Sequence, residues 1–201
     1  MNISDNLRTT NDVPCFGYTS IAFLKRCPDY IEAKQNGNMQ AAEKIVKRCT
    51  QKRQIEILKE KFKHSIIIPV VSTNNMLPLA LANHIGLTVC LTVKCINSKQ
   101  RKNLSAIERI LHKPNFYGYI KPNESYILID DIITQGGTIS SLIKFVVESG
   151  GYVCAVVAVA YAKWSKKIIF GYANIIVLKS HFGNGILNLF KDYSITIDKI
   201  Y

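Results

Sequence analysis

The chain has 201 residues, of which 48% are hydrophobic and 20% charged, with 26 Lys+Arg against 14 Asp+Glu and a formal net charge of +12. That composition excludes a disordered chain and gives enough length for one domain with a sizeable apolar core. The charge favours anionic partners, whether phosphorylated small molecules, nucleic acid or an acidic surface, without choosing among them.

Residues 1–35 carry Pro14, Gly17 and Pro28 and give only a weak structural signal. "NMQAAEKIVKRCTQKRQIEILKEKF" then shows helical spacing in Ala42, Ile45 and Cys49, and again in Ile55, Leu58 and Phe62. "QKRQ" in its middle marks a break into two helices. "SIIIPVV" is a short β-branched run and predicts a buried strand. "MLPLALANHIG" reads as a helix with Pro78 in its first turn and Gly86 as its stop. "LTVCLTV" predicts a second strand, and the basic stretch 94–103 predicts a loop. "LSAIERILH" is a short helix and 126–129 a third strand. "TISSLIKFVVESGG" is a helix stopped by Gly150 and Gly151. "YVCAVVAVAYA" and "NIIVL" are a fourth and a fifth strand. Apolar strands alternating with helices predict an α/β fold, a parallel β-sheet flanked by helices, over about residues 64–180.

The six cysteines form no Cys-x-x-Cys pair and no zinc-finger spacing with the four histidines. The first residues are polar and do not read as a signal peptide. The longest apolar run has eleven residues, against the ~18 that a membrane span needs. We therefore expect a reduced, cytoplasmic, soluble protein with no membrane partner.

The most informative stretch is "YILIDDIITQGGTISSLI". Its apolar run leads into Asp130 and Asp131. Two adjacent carboxylates in a core would repel and lose solvation. At the carboxyl end of a parallel strand they can face a cleft, where hydroxyls or a metal satisfy them. The turn that follows, Thr134, Gln135, Gly136, Gly137 and Thr138, opens a helix. Backbone N–H groups there can cradle a phosphate, and glycines let the backbone come close. Acceptors for sugar hydroxyls thus stand beside donors for a phosphate. The stretch has neither the Gly-Lys-Ser/Thr ending of a Walker loop nor a Gly-x-Gly-x-x-Gly fingerprint.

The whole string resembles the phosphoribosyl-pyrophosphate (PRPP) motif of type I phosphoribosyltransferases, closest to stand-alone microbial members of unassigned acceptor. The resemblance implies a Rossmann-like sheet with a helical N-terminal hood. Its implied division is 1–63 as hood, 64–180 as core and 181–201 as a segment packing on either. It implies that Asp130 and Asp131 bind the ribose 2′- and 3′-hydroxyls, with an indirect role in holding Mg2+, and that Thr134, Gln135, Gly136, Gly137 and Thr138 hold the 5′-phosphate. Gln135 departs from the Thr or Ala usual at its position. Ser72, Thr73, Asn74 and Asn75 stand where the family has its pyrophosphate loop, although relatives often carry a glycine pair or a basic residue there. The alternative for these four is an N-cap cluster before a helix. Lys94, Lys99, Arg101 and Lys102 fall where the family has a mobile loop over pyrophosphate; the alternative is a solvated loop. Lys163 and Trp164 fall where relatives contact the base, with packing as the alternative for Trp164.

The implied activity is a glycosyltransferase reaction. It joins a nitrogenous base to C1 of Mg-PRPP and releases pyrophosphate, in nucleotide salvage or related metabolism, and the implied assembly is a homodimer. The rival is a non-catalytic PRPP-binding regulator that contacts nucleic acid through basic segments such as "KIVKRCTQKRQ". Hypoxanthine–guanine relatives carry an Asp where Thr134 stands, so their base specificity does not transfer.

Overall fold

The computed structural model describes residues 13–96, 114–134 and 136–161. The elements are β1 (Cys15–Ser20), α1 (Ile21–Lys25), α2 (Tyr30–Gln35), α3 (Met39–Cys49), α4 (Lys52–Lys61), β2 (Ile66–Pro69), α5 (Leu77–Ile85), β3 (Lys94–Ile96), β4 (Asn115–Tyr117), β5 (Ser125–Ile133), α6 (Gly137–Glu148) and β6 (Tyr152–Tyr161). β1, β6, β5 and β2 form one sheet in that order, and every pair in it is parallel. β3 and β4 form a separate antiparallel pair.

The α/β class follows from the side-chain pattern. Successive residues of a strand face opposite sides of the sheet. Ile127 and Ile129 join the cluster that contains Ile67, Val157, Leu81, Ile45 and Val46. Tyr126 and Leu128 join the one that contains Ile68, Val156, Leu142 and Val146. α3 and α5 therefore cover one face and α6 the other. Both faces are dry, which explains why β5 and β6 read as near-continuous apolar runs. Each fully buried Ile or Leu contributes about 1.5–3 kcal/mol relative to exposure.

Helix boundaries match the sequence cues. α3 starts at Asn38, whose side chain accepts from the N–H of Ala41, and stops at Thr50. α4 starts after Gln51, so the break falls at the head of "QKRQ". α5 carries Pro78 in its first turn and ends on Gly86 in the left-handed region.

Four expectations are corrected. Cys15–Ser20 is an edge strand of the sheet, paired with β6, so the sheet does not begin near residue 64 and residues 1–63 are not wholly helical. "LTVCLTV" is not a strand. Ile67 donates to Thr88 and accepts from Cys90, both at 2.8 Å, and this single parallel bridge to Val89 is all the sheet pairing it makes. Beyond it the chain turns to the β3–β4 pair, where the Thr92 hydroxyl donates to the carbonyl of Tyr119. Lys94 belongs to β3 and pairs with Tyr117, not to a loop. The strand expected over 126–129 continues to Ile133. "LSAIERILH", "NIIVL" and residues 181–201 lie outside the described residues. Among the described residues no helix is long and apolar enough to cross a membrane.

Candidate functional site

β5 carries the acid pair within the sheet. Asp130 is in register with Ala158, and Ile132 and Ile133 with Ala160 and Tyr161. Asp130 is only 9% exposed and Asp131 6%. The expectation that both project from a strand end is thus corrected: two further ladder positions follow them, and both carboxylates are enclosed. Their burial is compensated locally and at long range. The Asp130 Oδ1 accepts the backbone N–H of Asp131 at 2.8 Å. Asp131 Oδ2 accepts a hydrogen bond and an ion pair from Lys34 Nζ on α2.

The electrostatics follow from that arrangement. Burial pushes the Asp130 carboxyl well above the usual carboxylate range, and the neighbouring Asp131 charge pushes it further, against a smaller pull from Lys34. Burial alone lowers the Lys34 ammonium, but Asp131, Tyr30 and Asp130 together raise it above an ordinary lysine. Tyr30 sits one turn earlier on α2, with its ring 5.9 Å from Lys34 Nζ. Burial raises its phenol while Lys34 opposes the shift.

Past Ile133 the chain turns sharply. Thr134 is exposed, Gly136 buried, and Gly137 and Thr138 half-buried. Gly136 has φ 72° and ψ 4° and stands at the N-cap of α6, to whose first turn it offers no side-chain cap. The hydroxyls of Ser140 and Ser141 donate back to the carbonyl of Gly137 at 3.2 and 3.1 Å. They leave the backbone donors of the first turn to other acceptors. A left-handed glycine leading into an uncapped helix start aims N–H groups and the positive end of the helix at one place.

The second loop leaves the neighbouring strand at the same end of the sheet. β2 pairs with β5, and the N–H of Val70 extends the ladder to the carbonyl of Ile129 at 2.7 Å. Ser72 and Asn75 then close a tight turn. Ser72, Thr73 and Asn74 are exposed. The Asn75 amide oxygen accepts the N–H of Leu77 at 3.2 Å; the N-cap itself is Met76, which makes no side-chain cap, so Asn75 braces the entry to α5 from one residue before the cap. The loop is anchored to α2 and the turn after it. Gly37 N–H donates to the carbonyl of Asn74 at 3.0 Å, and Met76 N–H to that of Ala33 at 2.9 Å.

The fold thus gathers Asp130, Asp131, Thr134, Gly136, Gly137 and Thr138 on one strand–turn–helix unit, with Ser72, Thr73, Asn74 and Asn75 on the loop of the adjacent strand. Lys94 is on the β3–β4 pair. Gln135, Lys99, Arg101, Lys102, Lys163 and Trp164 lie outside the described residues. Sequence reasoning missed Lys34 and Tyr30. No local pattern marks them, because Lys34 meets Asp131 across 97 positions.

Among the described residues, no three His, Cys, Asp or Glu side chains group as metal ligands. Asp130 and Asp131 offer hard oxygens, which suits a Mg2+ carried mainly by phosphate and hydroxyl oxygens of a ligand.

No protein-family profile matches the chain. It is 32% identical over 138 residues to protein TraN of Escherichia coli, a match covering 64% of this chain and 31% of that protein. It is 28% identical over 131 residues to an uncharacterized protein of Haemophilus influenzae, covering 60% of this chain and 29% of that one. The chain therefore spans about a third of the length of the curated relatives it matches. Among solved structures it is similar to an adenine phosphoribosyltransferase at 18% identity and a TM-score of 0.45, over 66% of this chain and 76% of that one.

Proposed function

We propose that this chain binds PRPP with Mg2+ and transfers its 5-phosphoribosyl group to a nitrogenous base, releasing pyrophosphate. One observation carries the reading. A buried acid pair lies on a strand that leads, past Ile133, into a left-handed glycine at the start of α6, beside a polar loop on the adjacent strand. Carboxylates that accept from vicinal hydroxyls and a turn that donates to a phosphate suit the two ends of a 5-phosphoribosyl group.

In this reading 134–138 hold the 5′-phosphate through backbone N–H groups and the hydroxyls of Thr134 and Thr138. Asp130 and Asp131 orient the ribose through its 2′- and 3′-hydroxyls. Ser72, Thr73, Asn74 and Asn75 face the pyrophosphate through hydroxyl, amide and backbone donors. The gain from such a site is orientation and stabilisation of leaving-group charge, without a protein nucleophile. Magnesium bound with PRPP neutralises charge on the departing pyrophosphate.

Calorimetry with Mg-PRPP tests binding, and pyrophosphate release against a panel of bases tests transfer. We expect saturable binding, turnover with at least one base, and loss of turnover in the Asp130→Asn/Asp131→Asn double variant. Absence of Mg-PRPP binding at millimolar concentration overturns the reading. Binding without turnover, joined to salt-dependent affinity for DNA, replaces the enzyme with a PRPP-responsive regulator.

A further inference from the structure

We infer that Lys34 is a ligand-contacting residue of this site, which exchanges Asp131 for the anionic group of the incoming ligand and so selects ribosyl compounds that carry charge at C1. This rests on the ribosyl reading of Asp130 and Asp131 given above.

The inference begins with a conflict over one atom. Asp131 Oδ2 is held by Lys34 Nζ. A sugar hydroxyl or hydrated metal drawn to that carboxylate competes with the ammonium for it. Lys34 is three-quarters covered, with 24% of its side chain exposed, and Asp131 has 8%. A largely enclosed ammonium stripped of its counter-ion is costly unless another anion replaces it. Neutral hydroxyls do not replace it. A diphosphate does.

The surroundings say where that anion must lie. α2 is bonded to both halves of the site. Lys34 reaches the acid pair, while Gly37, just past α2, donates to Asn74 in the Ser72–Asn75 turn and the Ala33 carbonyl accepts from Met76 directly after it. Freed from Asp131, Lys34 is thus anchored on the element that borders the loop assigned to pyrophosphate. Its alternative neighbour is the Tyr30 ring at 5.9 Å, a weak substitute for a charge partner. A ligand with vicinal hydroxyls alone breaks the ion pair and leaves a lysine stranded. A ligand with hydroxyls and a C1 diphosphate breaks it and satisfies both ends. α2 therefore discriminates PRPP from ribose 5-phosphate.

The test compares Mg-PRPP with ribose 5-phosphate plus Mg2+ on wild type, Lys34→Met and Lys34→Arg, with circular dichroism and melting to confirm folding. The expected result is about tenfold or greater loss of Mg-PRPP affinity in Lys34→Met, with ribose 5-phosphate affinity equal to or tighter than wild type. Lys34→Arg keeps most of the preference for PRPP. On the wild-type chain, the Lys34 ε-CH2 resonance shifts with Mg-PRPP to a position that ribose 5-phosphate does not give, so the idea remains testable should Lys34→Met fail to fold. Equal or tighter binding of Mg-PRPP by folded Lys34→Met overturns the inference while leaving the ribosyl reading intact. A wild-type chain that binds neither compound overturns both.

Discussion

The backbone N–H of Gly37 donates to the carbonyl oxygen of Asn74 at 3.0 Å, tying the turn that follows α2 to the turn beside the acid pair. Gly37 has φ 69°, and a Cβ there would stand 3.2 Å from the Thr73 carbonyl oxygen. Gly37→Ala thus meets backbone strain and a close approach together. We expect a loss of about 1–2 kcal/mol in stability and weaker binding of Mg-PRPP than of ribose 5-phosphate, because the diphosphate side is disturbed first. Denaturant melts and calorimetry measure both; unchanged values would show that the turn does not depend on this contact.

Gly136 occupies the left-handed region at the head of α6. Gly136→Ala costs about 1–2 kcal/mol by the same steric argument and adds a methyl group where the proposed phosphate would approach. Ribose 5-phosphate affinity should fall at least tenfold, which is a larger effect than in Gly37→Ala. Retained affinity would place the phosphate elsewhere.

Asp130 gives a pH signature. Its folded carboxyl titrates well above its ordinary value because it is buried beside Asp131. A raised folded value means that the folded state binds the proton more tightly than the unfolded chain. The resulting stability is fully present below about pH 4 and is lost as pH rises through the raised value. In Asp130→Asn that loss disappears. Above about pH 4 the variant should therefore lose less stability than wild type, so the gap between them widens in the variant's favour as pH rises toward the raised value, while function is lost. A gap that narrows with pH contradicts the assignment.

Tyr18 on β1 carries the one buried side-chain polar atom without a hydrogen-bond partner among the described residues, and burial pushes its phenol up to about 12. Tyr18→Phe keeps the ring and removes the hydroxyl. Its melting temperature should equal or exceed that of wild type. A drop of more than about 1 kcal/mol in stability would reveal a partner for the hydroxyl.

Cys49 at the end of α3 is buried, and its thiol is raised to about 12 by burial and by the Cys27 thiol beside it. At pH 8 the thiolate is a negligible fraction. Native protein should leave Cys49 unalkylated by iodoacetamide over the time in which denatured protein reacts fully. Rapid labelling, read by mass spectrometry of peptides, would contradict that packing.

The parts of this fold legible in the sequence are those set by neighbouring residues. The helix break before α4, the stop at Gly86 and the apolar continuity of β5 and β6 each rest on caps, left-handed glycines or two-sided burial, which leave local marks. β1 leaves none. "CFGYTS" is short, half-buried and includes a glycine, and only pairing with β6 makes it a strand. The acid pair and the glycine turn after it were legible as a chemical pattern, but the enclosure of the pair was not. A charge in an apolar run reads as the run's end, and Lys34, the residue that makes burial tolerable, comes from a distant helix. Ser72, Thr73 and Asn74 were legible because their strand is, while Asn75 divides its polar groups between loop and helix.

The pairing of β1 with β6 also bears on synthesis. Cys15 lies in register with Val156, so the first described strand of this chain waits for the last described one. Until then the inner edge of β5 is open and the Ile127 and Ile129 face is partly wetted, a condition that favours chaperone capture. Nascent chains stalled ahead of residue 152 should be cut rapidly by added protease, and chains extended past residue 161 and clear of the exit tunnel should resist it.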